Sequence, residues 1–420
     1  MAIALSLSCR AATPTDLPPV APVEAPKRAA AVRIDAGLPE SAWPSTTSDL
    51  DAAAIEGLLV EAEISGTDAL LVLVDGKTVI ERYFDRPRAP IETMSVTKSV
   101  VSLAIAMLLD EGKIASLDVP LSTWFPSWKK GRKAEVTLRH LLTHTSGIAH
   151  RQGANVINRE ADRVAFVLES EVSTLPGTVF SYNNEAVQLL AAIVLAASGE
   201  PLDAYMNRRL FEPLGIREWS WEKDRAGNVM AYYGLSLHAR DLAKIGVLML
   251  DGGRWEGKQI VPASFVAAAT VEQFANSSHG FLWWLRRSAP TFALRDADVE
   301  TLAKHGVAPT SALQSLVGQR FPGTVALWLA VADRCDASGR IALARLAAAG
   351  ARPFEEQAGR TIGYAADGWL GQQLIVLPEH RLIAVRQHRA PTDREADQTY
   401  NETHGFFGLL RWLDLAIASN

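Results

Sequence analysis

The chain has 420 residues, 48% of them apolar and 21% charged, a globular composition long enough for a two-lobed domain or for two domains. A net charge of −5 without a basic stripe speaks against a nucleic-acid partner. No stretch reaches the roughly 18 uninterrupted apolar residues of a membrane-crossing helix; the longest, 189–197, is too short.

The first eight residues are apolar but lack the basic start of a secretory signal. Leu5-Ser6-Leu7-Ser8-Cys9 loosely matches a bacterial lipoprotein cleavage site, with the leucine displaced. Pro14, Pro18, Pro19, Pro22 and Pro26 follow, a stiff and disordered tether. Two readings stand. In one, 1–48 is a signal remnant and tether, and Cys9 is the lipid anchor of a periplasmic or membrane-held protein. In the other it is a ragged start on a cytoplasmic one. Only Cys9 and Cys335 are present, so no disulfide framework is expected.

Residues 49–420 read as a single two-lobed domain. A helix is expected over 49–64. Two apolar runs around Asp75-Gly76 then predict a β-hairpin, because Asp-Gly suits a type I′ turn. A mainly helical lobe is expected over about 95–251. It begins at Thr93-Met94-Ser95-Val96-Thr97-Lys98 and runs through an almost uncharged apolar segment to Asp110-Glu111-Gly112, where glycine suits a helix end. Residues three apart share a helix face, so Lys98 lies beneath Ser95. The helix start favours developing negative charge on the Ser95 oxygen. A lysine in an apolar helix is costly unless partnered. In a low dielectric it becomes a neutral base, which makes Ser95 a candidate nucleophile and Lys98 its activator. By itself S-x-x-K is a weak signal, since a capped helix with a surface lysine has the same pattern.

The short helix and turn of Thr137 to Gly147 carry His140 and His144 at metal-compatible spacing. No acidic base sits between them and no third ligand is evident, so a structural role and no metal are expected. Pro176 to Asn184 is a turn-rich approach to a helix over 185–197, and it displays Tyr182 at the helix entrance. Asn184 also reads as that helix's N-cap. A strand is expected over 280–285. The segment 290–356 reads as a helical insertion whose strand-like run is 325–331. A strand over 363–367, a bend at Gly368-Trp369-Leu370-Gly371, a second hairpin over 372–386 and a closing helix over 404–419 complete the chain. The class is α+β: a shared antiparallel sheet flanked by terminal helices, plus the helical lobe.

These residues resemble the penicillin-recognising serine hydrolases, which include class C β-lactamases, D-alanyl-D-alanine carboxypeptidases, esterases and 6-aminohexanoate-dimer hydrolases. The likeness rests on Ser95-Val96-Thr97-Lys98-Ser99, on Arg139-His140-Leu141-Leu142-Thr143-His144-Thr145-Ser146-Gly147, and on Tyr182-Asn183-Asn184 as the family's Y-x-N motif. It covers about 50–290 and 360–415. It implies a β-lactamase/transpeptidase-like fold, Ser95, Lys98 and Tyr182 as catalytic residues, no cofactor, and a small ester or amide substrate. Asn184 would orient Lys98 or the substrate. The backbone N–H groups of Ser95 and Trp369, beside Gly368, would form the oxyanion hole. The family's third motif places a basic residue on a strand lining the site. Here the best register is Ala366-Asp367-Gly368, without that residue, and Asp367 would repel a substrate carboxylate. Lys98's charge is expected to bring Tyr182 toward neutral-pH activity. The expected activity is therefore ester or amide hydrolysis. The alternatives are a β-lactamase or D,D-carboxypeptidase, or a non-catalytic relative that binds a cell-wall fragment. Trp124, Trp128, Trp283, Trp284 and Trp369 suggest either an apolar cleft wall or core packing. Oligomeric state cannot be read from the sequence.

Overall fold

The computed structural model describes residues 51–84, 87–150, 156–351 and 354–390, with Leu409 and Leu413. Cys9 and the proline tract lie outside them. At its centre is a six-stranded antiparallel sheet of β1 (Ala69–Val74), β2 (Lys77–Tyr83), β3 (Trp284–Arg287), β4 (Thr361–Gly368), β5 (Gln372–Leu377) and β6 (Leu382–Gln387). The spatial order is β2-β1-β6-β5-β4-β3. Both ends of the described chain thus share one sheet, with Val72 opposite Ala384. Asp75 (φ 51°) and Gly76 (φ 70°) turn β1 into β2; the two positive φ angles are what a type I′ turn requires.

β1 and β6 are apolar at almost every position because the sheet is covered on both faces. Leu71, Leu73, Ile383 and Val385 enter one core, while Leu70, Val72, Leu382 and Ala384 enter the other, the period-two alternation of a strand. The outer core is closed by Leu58 and Ala62 of α1 (Ala52–Ile64) and by the helical residues Leu409 and Leu413. The rest of the expected closing helix lies outside the described residues. Against the inner face lie α2 (Val96–Asp110) and a later helix, Ala239–Leu250. All of α2 except its last two residues is buried, as expected of a helix that is apolar all round.

Two expectations are corrected. Thr324–Asp333 is a helix, not a strand: its β-branched and aromatic residues are outnumbered by alanine and leucine, and only Leu327 and Val331, four apart, are buried. The strand expected over 280–285 begins only at Trp284. Before it the chain bends, with Leu282 at φ 61°, so Trp283 enters the core instead of pairing in the sheet. The segment 291–354 packs its own apolar cluster, including Leu294, Leu302, Leu313 and Leu327, around a three-stranded sheet of Thr291–Ala293, Arg320–Phe321 and Glu355–Gln357.

The helix Ala239–Leu250 approaches the sheet through Gly246. A Cβ there would stand 2.7 Å from Ile383 Cγ2 and 2.9 Å from Leu374 Cδ1. Gly246→Ala is expected to destabilise the protein. Overpacking a core costs about 1–3 kcal/mol, more than the roughly 1 kcal/mol that alanine adds to a helix. Thermal unfolding reads the balance, and a raised Tm would mean that helix and sheet sit farther apart.

Candidate active site

Ser95 occupies the turn before α2, with helical φ −69° and ψ −8°, and its side chain caps nothing. Met94 before it has φ 51°, so the chain turns sharply into the helix. One turn on, Lys98 is 2% exposed. Its Nζ lies 2.7 Å from Ser95 Oγ and donates to the Tyr232 carbonyl at 2.9 Å. Among the described residues no carboxylate pairs with it. Burial pushes its pKa well below the ordinary lysine value. An amine held dry and uncompensated prefers its neutral form, which has a lone pair for the serine proton.

Tyr182 enters from the loop before the helix α3 (Asn184–Ser198). That helix is capped by Asn183, not Asn184: Asn183 Oδ1 accepts the Ala186 N–H at 2.8 Å, and its Nδ2 donates to Ile148 O at 2.8 Å. Asn184 is the first helical residue, and its Oδ1 is buried without a hydrogen-bond partner. Tyr182 faces Ser95 closely enough for the serine to act on its pKa. Its ring stacks on Trp284 with centroids 5.7 Å apart, and Lys98 Nζ lies 4.9 Å from its centroid. Burial pushes the phenol up to about 12; Ser95 opposes this and the nearby Asp367 charge adds to it. The expected lowering of Tyr182 by Lys98 is therefore not found. The same desolvation disfavours the charged lysine and the charged phenolate alike.

The third wall is the end of β4. A Cβ on Gly368 would stand 2.5 Å from Thr93 O and 3.0 Å from Met94 Cβ. Glycine is what lets this strand pass the turn carrying Ser95. The bend Trp369–Gly371 follows, with Leu370 at φ 64°. Arg386, wholly buried on β6, braces it: Nη1 donates to Leu370 O and Gly371 O, each at 2.9 Å, and Nη2 donates to Ser65 O at 3.1 Å. The sequence reading passed over Arg386. Its signal was a charged residue ending the apolar run Leu382-Ile383-Ala384-Val385. The Ser95 N–H donates no hydrogen bond among the described residues, and Trp369 is 45% exposed.

Asp367 is not the bare anion expected. Arg286 on the neighbouring strand β3 grips both of its carboxylate oxygens. Sequence reasoning missed this pair because it forms across strands, between residues 81 positions apart. Of the five tryptophans, Trp128 and Trp283 are core, Trp124 packs against the core, Trp284 lies on Tyr182 and Trp369 is exposed. His140 Nδ1 accepts the Thr137 N–H at 3.1 Å and His144 Nδ1 the Asn183 N–H at 3.2 Å, so both bind loop backbone. No group of three His, Cys, Asp or Glu among the described residues is placed to hold a metal ion.

The sequence model of the family described as Beta-lactamase matches residues 52–403. Esterase EstB of Burkholderia gladioli is 34% identical over 144 residues, 30% of this chain and 36% of that protein. The 6-aminohexanoate-dimer hydrolase of Paenarthrobacter ureafaciens is 28% identical over 294 residues, 61% of this chain and 73% of that protein. The chain thus spans little more than a third of EstB's length. The penicillin binding protein of Bacillus halodurans shares the fold, with TM-score 0.54, 14% identity, and coverage of 82% of this chain and 99% of that one. The chain belongs to the β-lactamase family, the penicillin-recognising serine hydrolases.

Proposed function

We propose that the protein cleaves an ester or amide bond through an acyl-enzyme on Ser95. The observation that carries this reading is the buried Lys98 amine 2.7 Å from Ser95 Oγ, with the Tyr182 ring 4.9 Å from the same amine. Neutral Lys98 takes the Ser95 proton as Oγ attacks the substrate carbonyl. The N–H groups of Ser95 and Trp369 receive the oxyanion, each contributing about 3 kcal/mol. Tyr182, a protonated phenol at neutral pH, gives its proton to the departing alkoxide or amine, and the Lys98 ammonium restores it. Water then repeats the attack on the ester, with the same two groups exchanging the proton. Asn184 lies beside this machinery as a substrate contact. Relatives named as an esterase and as a 6-aminohexanoate-dimer hydrolase support ester or amide substrates, and Trp284 and Trp369 favour an apolar group on them.

The β-lactamase or carboxypeptidase reading turns on Arg286. It is a cation near the third motif, but both Asp367 carboxylate oxygens lie on its Nη2. A substrate carboxylate would have to compete with that anion for the guanidinium. We therefore place anionic substrates second to neutral ones.

Three outcomes are expected. Ser95→Ala abolishes hydrolysis of p-nitrophenyl acetate and butyrate while the fold survives, and the wild-type protein barely turns over nitrocefin; a folded and active Ser95→Ala protein would remove Ser95 from the chemistry. For the wild type, kcat/KM rises with pH through the lowered pKa of Lys98, stays flat, and falls only as Tyr182 ionises near 12. An acidic limb at the ordinary lysine value of 10.5 would show that Lys98 stays charged. Asp367→Asn frees Arg286 and raises acylation by nitrocefin more than ester turnover; equal change in both rates would sink the proposed role of the pair.

A further inference from the structure

Tyr182 is held by one residue from a distant loop. The Ser181 N–H donates to the His144 carbonyl at 2.8 Å, and the Asn183 N–H donates to His144 Nδ1 at 3.2 Å. The amides on both sides of Tyr182 therefore end on the same histidine, 39 positions from Asn183. The rings of His144 and Tyr182 also touch, with centroids 4.5 Å apart. His144 itself sits at φ 55°, a left-handed backbone that histidine and asparagine tolerate better than most residues.

A packing role does not account for this geometry. Since Nδ1 accepts, the ring proton resides on Nε2, which is buried and has no hydrogen-bond partner among the described residues. An unpaired buried donor is unfavourable, and an apolar side chain would fill the space without it. What the imidazole supplies is an acceptor at the Nδ1 position. Its burial, with His279 beside it, holds it well below the ordinary histidine pKa, so that acceptor persists across the neutral range.

We propose that His144 is a positioning residue for the reaction: by accepting from the amide after Tyr182 through Nδ1, and from the amide before it through its own carbonyl, it sets the tyrosine hydroxyl on Ser95. The inference rests on the proposed role of Tyr182 as proton donor. Misplacement of a reacting group by about 1 Å costs roughly 10²-fold in rate, and this loss falls on kcat because substrate binding does not involve His144.

The experiment compares His144→Asn, His144→Gln, Tyr182→Phe and the double variant His144→Gln/Tyr182→Phe on p-nitrophenyl butyrate, using full-length protein whose fold is checked by thermal unfolding. Asparagine places its acceptor where Nδ1 stood; glutamine carries its acceptor one carbon farther out, although it fills the ring's volume better. The expected result is near-native kcat for His144→Asn and a loss approaching roughly 10²-fold for His144→Gln with KM unchanged. The double variant is expected to be no slower than Tyr182→Phe alone, because the two changes disable one function. Equal kcat for the Asn and Gln variants, or multiplied losses in the double variant, would overturn the proposal. A Tyr182→Phe protein with native kcat would instead overturn the role of Tyr182, and the positioning role with it.

Discussion

Everything in the candidate site depends on keeping one amine dry. Lys98 is buried in a helix whose neighbours are valine, leucine, isoleucine and alanine, and its polar contacts are Ser95 Oγ and the Tyr232 carbonyl. Each unit by which its pKa falls corresponds to about 1.36 kcal/mol that disfavours the charged form. That free energy comes from the packing of α2 between the sheet and the helical lobe. A carboxylate beside Lys98 would make the burial easier but would keep the proton on nitrogen. The fold therefore accepts a locally unfavourable group, and on the proposed mechanism the result is a base next to a serine.

The same desolvation divides the labour between the two titratable groups. Taking charge out of water lowers an amine's pKa and raises a phenol's. Lys98 and Tyr182 share a pocket, yet they move in opposite directions, one toward accepting a proton and the other toward holding it. No ion pair between them is needed. Three separate segments must meet for this to work: the start of α2, the loop ahead of α3 and the end of β4. Polar contacts brace two of them. His144 accepts from the amides on either side of Tyr182, and Arg386 donates to the carbonyls of Leu370 and Gly371 in the bend. The third is set by Gly368, where absence of a side chain lets two backbones approach.

Beside Tyr182, Arg286 and Asp367 neutralise each other on adjacent strands, and Trp284 and Trp369 add apolar surface. On the proposed reading, these surroundings disfavour a free carboxylate and favour a neutral ester or amide.

Much of this was legible in the chain because it is local. The hairpin at Asp75-Gly76, the buried helix after Ser95, the placing of Lys98 one turn beneath it and the loop carrying Tyr182 follow from turn chemistry and helical spacing. The α+β class follows from the order of the elements and from the family's motifs. Other features depended on partners far away in sequence. Whether 324–333 forms a strand or a helix was decided by which of its faces found a core, and Asn183 became the cap because its amide could also reach Ile148. The neutralisation of Asp367 by Arg286, the bracing of the bend by Arg386 and the grip of His144 on Tyr182 all join segments between 15 and 81 positions apart. The sequence by itself determined which groups are the candidates for the chemistry, since their identity and local spacing are written in it. Only the tertiary structure decided their protonation and alignment, because desolvation and hydrogen bonding depend on what packs around a residue and not on its neighbours in the chain.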